Sequence, residues 1–567
     1  MLPRRDISAM ATVAQNHALL NQSPPYEDVD LYGSDEPLND AVAANGAGAQ
    51  VQQLSAFGRH WGAAAMFEHG RLANENPPKL KTFDPQGFRR DAVEFHPSYH
   101  RLMEDAIAAG LAAMTWNPDG SRAAAPAEVA RAAHYYMMAQ VENGHMCPIT
   151  MTRAAVATLA AAPDIAAKLV PQVLSRRYDP AFRPWSDKSG MTIGMGMTEK
   201  QGGTDVRTNT SRAERSHDGG YVVTGQKWFM SAPMCDAFLV LAQLEEGMEA
   251  GLTCFLMPRF RPDGSVNGLR LARLKDKLGN RSNASAEVEF DEAFAWRIGE
   301  AGRGVRTIID MVQLTRLDCA IASAGLMRGA LVQAVHHARH RNVFQRRLAD
   351  QPMMRAVLAG LAAEAEGAVA AAMRLARSFD LAAADPTEAA RARLLTPAIK
   401  YWICKTAPAF VYEAMECLGG NGYIEESILA RYYREAPVNA IWEGSGNVAC
   451  LDVLRVLTRE REAAAAVLDQ LKRETNGLPG AAAAHRDVET LLAGPDLEAR
   501  ARALVERLAL LAAAAACRQS APAVIAEAFA TSRLAPSMTT SYGARPLDEA
   551  AATVLLHRAL PASAVGG

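Results

Sequence analysis

The spacing of apolar positions changes period twice along the chain. From about Val51 to Ser175 apolar residues recur at helical spacing, as at Leu102, Ala106 and Ala109-Gly110 and again over Val129–Ala139. Pro163, Pro171 and Pro180 interrupt that pattern. Near Met191 the period shortens. Tyr221-Val-Val-Thr224, Phe238-Leu-Val-Leu241, Leu252–Met257 and Glu287-Val-Glu-Phe290 are short, β-branched or aromatic, and separated by turn signals such as Asp218-Gly-Gly220 and Asp263-Gly264. They predict a β-domain without interleaved helices, which argues against a doubly wound α/β sheet. Helical spacing returns at Val305, with Ile308, Ile309 and Val312 on one face. Met354, Leu358, Leu361 and Ala365 form a second such face, and Ile399, Ile403 and Val411 a third that stops at Gly419-Gly420. Another helix starts near Asn447. Long antiparallel helices with short breaks predict a bundle.

The fold class is therefore mainly α with a central β-domain. The chain divides into an N-terminal arm (1–50), a helical domain (51–190), a β middle domain (191–297), a helical bundle (298–457) and a separate C-terminal helical module (458–567). The arm reads as extended because it mixes Pro24-Pro25 and Gly46-Ala-Gly48 with polar residues.

Composition narrows the function class. The 567 residues carry 60 Lys+Arg against 62 Asp+Glu, a formal charge of −2, so bulk electrostatics do not mark a polyanion binder. Eight scattered cysteines without a C-x-x-C pair exclude a zinc or disulfide framework and fit a reducing cytoplasm. No signal peptide and no membrane span is expected. His336 and His340 lie one turn apart but lack a third ligand, so no metal site is expected. Gly220–Lys227 resembles a phosphate loop with Gln in place of the required Lys, and its middle reads as a strand.

Four segments carry candidate chemistry. In Met195-Gly196-Met197-Thr198 through Gly202-Gly203-Thr204, a strand-like run ends in a double-glycine loop able to approach a planar ring edge. Phe229-Met230-Ser231 presents an aromatic face and a hydroxyl two residues apart on a strand. Arg341-Asn-Val-Phe344 sets an arginine one turn before an aromatic, a pairing for a phosphate and a ring. Gly419-Gly420-Asn-Gly422 can offer backbone amides to a pyrophosphate. It is followed by Ile441-Trp442-Glu443-Gly444-Ser445-Gly446-Asn447, where burial beside an aromatic would make Glu443 basic.

Taken in this order and spacing, these residues resemble the acyl-CoA dehydrogenase family over about residues 90 to 455. The runs MTEKQGGTDVRTNT, LKDKLGNRSNASAEVEF and YREAPVNAIWEGSGN, with the N-terminal NQSPPYEDVDLYGSD and the extra helical module, are most similar to its AidB-like branch, the DNA alkylation response proteins. The resemblance implies a helical N-terminal domain, a β-barrel-like middle domain and a four-helix bundle, assembled as a homotetramer. FAD would lie between the β-domain and the bundle. Met195–Thr204, Phe229, Met230, Ser231 and Ile441–Asn447 would hold it. Arg341, Phe344, Gly419, Gly420 and Gly422 would serve FAD of a neighbouring subunit. Gln345 stands where the family has Gly. Glu443 matches the catalytic base. The alternative base position of some members falls on Thr315.

The implied activity is α,β-dehydrogenation of a short, possibly branched, acyl-CoA, with an electron-transferring flavoprotein as acceptor. The alternative is a flavoprotein of the alkylation-damage response that binds double-stranded DNA through the last module. That module is neutral, with 12 Lys+Arg and 12 Asp+Glu from Val456 to Gly567. Arg500, Arg507 and Arg518 fall nearly whole helical turns apart and form its one candidate DNA stripe. Their stems would equally flank a buried apolar face, and that reading is preferred.

Overall fold

The structure is a computed structural model that describes residues 21–216, 219–246, 249–535, 542 and 547–561. The first twenty residues of the expected arm and several stretches of the last module lie outside the described residues.

The described part of the arm is not a loose extension. It leads into helix α1 (Glu36–Ala44), capped by Asp35, whose carboxylate accepts from Leu38 N at 3.0 Å. Leu38, Ala41 and Val42 are fully buried, a helical stripe among the turn-forming residues around it. Arg328 ties the segment down through Asp35 at 3.0 Å and Ser34 O at 2.8 Å. Helices α2 (Val51–Trp61), α3 (Ala64–Glu75), α4 (Pro97–Ala108), α5 (Ala127–Ala139), α6 (Met146–Leu159) and α7 (Pro163–Val173) complete the N-terminal layer. The expectation of continuous helix fails once. β1 (Lys79–Phe83) and β2 (Arg89–Glu94) form a hairpin whose mostly solvated alternation carries little apolar signal. Pro171 sits inside α7 near its end instead of breaking it.

The middle domain contains β3 (Ile193–Gly196), β4 (Arg212–Arg215), β5 (Tyr221–Ser231), β6 (Ala237–Glu246), β7 (Glu249–Pro258), β8 (Leu269–Leu274) and β9 (Ser285–Ile298). Pairings β5–β4, β4–β6, β6–β7, β7–β9 and β9–β5 close a ring, so those five strands form a barrel, and β8 is added to it through β9 alone. β3 joins it through β5 and β6.

The bundle follows: α8 (Gly304–Thr307), α9 (Ile309–His340), the hairpin β10 (Asn342–Val343) and β11 (Arg346–Arg347), then α10 (Pro352–Leu381) and α11 (Pro386–Glu416). α12 (Gly420–Tyr423), α13 (Ile428–Glu435) and α14 (Gly446–Arg459) complete it. α9 and α11 run in the same direction. Cys404 accepts from Ser323 and donates to Cys319 O at 3.3 and 3.4 Å, one turn beyond the level where Thr315 and Lys400 reach a common loop. α9 is also bound to the N-terminal layer, since Asp318 accepts from Arg131 at 2.6 and 2.8 Å and from Arg153 at 3.1 Å. Among the described residues α10 alone is long and apolar enough to cross a membrane, and 83% of its apolar window is buried inside the protein.

The last module is α15 (Arg461–Glu474), α16 (Ala481–Ala493), α17 (Ala501–Ser520), α18 (Ala523–Arg533) and α19 (Glu549–Ala559). It is not separate. Leu504, Leu508 and Leu511 of α17 share one core with Leu361 and Ala368 of α10. A Cβ at Gly367 would lie 2.1 Å from the Phe529 ring, so α18 packs directly on the α10 backbone. Two buried carboxylates of α10 find their cations there: Glu364 with Arg533, and Glu366 with Arg558 at 2.6 Å.

Candidate active site

Glu443 sits on the turn between α13 and α14, in a left-handed backbone conformation (φ +56°), with Gly444 following at φ +97°. The N-terminal half of α9 faces its carboxyl. Thr315 Oγ1 lies 2.7 Å from Glu443 Oε2 and 3.0 Å from Val312 O. The hydroxyl can donate to an ionised Glu443, or accept from a protonated one while donating to Val312 O. Burial pushes the Glu443 carboxyl above the usual range, and Thr315, Arg316 and Lys400 pull against that rise. The two residues that the sequence resemblance marks as alternative base positions therefore touch in this chain, one as a carboxylate and one as its hydroxyl partner. Trp442 packs against the core shared by the barrel and α6, and its Nε1 donates to Asn439 at 2.9 Å.

The barrel contributes the double-glycine loop. Met195 pairs in register with Ser231, which brings the loop after β3 against the end of β5. Trp228 N donates to Thr198 O at 2.9 Å. A Cβ at Gly203 would lie 2.2 Å from Thr198 Oγ1, so the loop can fold back only because that residue is glycine. A fully buried ion pair locks it: Lys227 Nζ reaches Glu199 Oε1 at 2.7 Å, and Glu199 also accepts from Thr210 and Ser211. Burial acts to raise the Glu199 carboxyl, but Lys227 and the hydroxyl and amide donors bring it down to about 2. Met230 is fully buried, while Phe229 beside it is 48% exposed, with Lys275 Nζ 4.8 Å from its ring. Gly196 is buried, Gly202 half-buried, Met197 half-buried and Thr204 exposed.

The remaining predicted residues lie elsewhere. Arg341 ends α9 about 39 Å beyond Thr315, at ~1.5 Å per residue. It and Phe344 do not share a helix face, because β10 and β11 form a tight hairpin with Phe344 and Gln345 at its tip, both with positive φ (+49° and +64°). Phe344 is 93% exposed. Gly419 (φ +61°), Gly420 and Gly422 lie past the end of α11, at the same end of the molecule. Residues of the N-terminal segment join the two. Asn21 O accepts from Arg341 at 2.7 Å, and Gln22 accepts from Asn421 at 3.2 Å.

Residues 21–180 match the family described as the adaptive response protein AidB N-terminal domain, residues 194–293 the acyl-CoA dehydrogenase middle domain, and residues 302–458 the acyl-CoA dehydrogenase C-terminal domain. AidB of Escherichia coli (strain K12) is 51% identical over 447 residues, covering 79% of this chain and 81% of that protein. The chain belongs to the AidB branch of the acyl-CoA dehydrogenase family. Acyl-CoA dehydrogenase family member 11 of Caenorhabditis elegans is 33% identical over 421 residues, covering 71% of this chain and 66% of that protein. The solved structure of C. elegans ACDH-11 in complex with C11-CoA superimposes with a TM-score of 0.81 at 26% identity, covering 99% of this chain and 95% of that chain.

In this chain the C-terminal module reaches the Glu443 loop. Asn447, in the first turn of α14, accepts from Arg502 Nε at 2.8 Å. Sequence reasoning missed Arg502 and chose its neighbours instead. Arg500 caps the approach to α17 and donates to Pro495 O, Arg507 pairs with Asp487 at 3.4 Å, and Arg518 donates to Glu474 O and Asn476 O at the end of α15. All three are engaged within the chain. Glu199, Lys227, Arg316 and Lys400 were also missed. The first two stood inside runs already singled out, and a charged residue within an otherwise apolar strand or loop was the signal. His336 Nε2 lies 2.9 Å from Pro24 O, and His340 Nδ1 2.8 Å from His336 O.

Proposed function

We propose that this protein is an FAD-dependent oxidoreductase that dehydrogenates the α,β-bond of a short acyl-CoA, branched substrates such as isovaleryl-CoA included. The observation that carries the reading is Glu443: a carboxyl made more basic by burial, bonded to a hydroxyl, on a turn whose backbone is held by two buried cations. Such a group takes an α-proton onto Oε, with Thr315 supplying a hydrogen bond in either protonation state. The solved complex of ACDH-11 with C11-CoA supports thioester binding in this architecture.

The residues present fit FAD. Phe229 offers a half-exposed ring face, and Thr198 and Ser231 offer hydroxyls at one strand edge. A Cβ at Gly202, Gly419 or Gly420 would meet nothing within 4 Å, which leaves room for a ligand to approach the backbone. When bound, FAD supplies the hydride acceptor. Met195–Thr204, Phe229–Ser231 and Ile441–Asn447 would hold it from one chain. Arg341, Phe344, Gly419, Gly420 and Gly422 stand too far along the bundle to join them, and an exposed Phe344 is suited to reach a cofactor held by another subunit. A homotetramer and an electron-transferring flavoprotein acceptor belong to the same proposal, as does the division at 190 and 297.

Anaerobic titration of the flavin-loaded protein with isovaleryl-CoA tests the reading. Stoichiometric bleaching of the flavin absorbance is expected. A bound flavin that keeps its oxidised spectrum with every acyl-CoA would refute it.

A further inference from the structure

Lys400 lies midway along α11 and is 1% exposed. Its ammonium donates to Trp442 O at 2.9 Å and to Gly444 O at 2.6 Å, the carbonyls on either side of Glu443. Arg316 Nε takes the carbonyl between them, Glu443 O, at 2.9 Å. Three consecutive carbonyls thus end on two buried cations, and the turn that carries the base is left-handed at both Glu443 and Gly444. The two cations differ in one respect. Arg316 has a carboxylate of its own, Asp452 at 2.5 Å, shared with Arg393. Among the described residues Lys400 makes no ion pair, and a buried ammonium without a carboxylate is costly unless a charge nearby compensates it. Glu443 is that charge, one residue from both carbonyls.

We propose that Lys400 is a positioning residue for Glu443: it holds the 442–444 turn in its left-handed form and is the counter-charge of the ionised base, while touching no reacting atom. This rests on Glu443 being the base. Burial raises the Glu443 carboxyl, and Lys400 is among the groups that pull it back. The other groups facing it are Thr315 and Arg316 of α9 and the thiols of Cys147 (α6) and Cys319 (α9). Burial pushes both thiols up, Cys147 to about 12, so they stay neutral while Glu443 titrates.

The test compares Lys400→Met, Lys400→Arg and Glu443→Gln as flavin-loaded proteins, following flavin bleaching by isovaleryl-CoA against pH. Lys400→Met is expected to keep its flavin and bind the thioester within about threefold of the parent. Its bleaching rate should fall about 10- to 100-fold, as a displaced base would give. Its ionisation limb should move to higher pH by about one unit, because the anion has lost its partner. Lys400→Arg, which can still donate to both carbonyls, should restore the limb. A Lys400→Met protein with the parental limb and rate overturns the proposal, provided Glu443→Gln is inactive. An active Glu443→Gln overturns instead the reading of Glu443 as base. Should Lys400→Met not fold, the double variant Lys400→Met/Glu443→Gln decides. Recovery of folding by the second change supports mutual charge compensation, and failure to recover overturns it.

Discussion

Glu443 was legible as a carboxylate between an aromatic and two glycines; its environment was not. Glu443→Gln is expected to lower flavin bleaching by about 10²–10⁴-fold with FAD still bound. The same substitution should raise stability at alkaline pH. The folded carboxyl ionises at higher pH than the unfolded one, so its contribution to stability is full below the unfolded pKa and is lost as pH rises through the folded one. Gln carries no such loss, and melting temperatures of the two proteins should converge at low pH and separate toward pH 8. A mutant that melts below the parent at both ends would refute the sign. Thr315 drew notice through resemblance alone. Arg316 and Lys400 drew none, because a cation inside a long helix reads as solvated surface until the partner helix is placed.

Among elements, the double-glycine loop and β5 were each visible, and what joins them was not. Glu199 and Lys227 are 28 positions apart by their numbers and meet only when the barrel closes. Lys227→Met leaves Glu199 buried without its cation. The expected cost is about 3–5 kcal/mol, read by urea unfolding, with weakened FAD retention. Glu199 is held down at about 2, so the parent's share of this stability is present above the unfolded carboxylate range and is lost as pH falls toward 2. At the far end, the β10–β11 turn favours glycine after Phe344. Gln345 must adopt a left-handed backbone. Gln345→Gly should stabilise the protein by about 1 kcal/mol in the same assay. A loss of stability would mean that the Gln side chain compensates its own strain.

Across the whole molecule, the C-terminal module is part of the bundle core. Arg558 of α19 bonds Glu366 of α10 at 2.6 Å and Asp40 of α1 at 2.8 Å, so one side chain links the first described helix, the bundle and the last. Arg558→Met leaves Glu366 buried and unpaired, and about 3–5 kcal/mol of destabilisation in a single cooperative transition is expected. Two separated transitions, with the bundle unaffected, would restore the idea of an independent module. The three arginines of the candidate DNA stripe are engaged within the module itself, through carbonyls and a carboxylate of α15, α16 and the adjoining loops.

By itself the sequence determined the order helix, β-domain, bundle, helix, since most elements repeat their apolar spacing within a few residues and local periodicity survives without a fold. Gly-Gly at the end of α11 and the strands β3, β5, β6, β7 and β9 were legible on that basis, while β4 and β8 were not. Tertiary structure alone decided the rest. The polar hairpin of β1 and β2 has too little buried face to announce itself, and α1 is held by an arginine nearly three hundred positions away. The candidate residues also divide into a Glu443 group and an Arg341–Gly419 group held well apart along one bundle. α9 is 32 residues long, and no local pattern records which end of a neighbouring helix lies beside it. The cations behind Glu443 belong to the same class. A buried charge is tolerated only where its partner stands, and the partner is set by packing between segments that the chain keeps far apart.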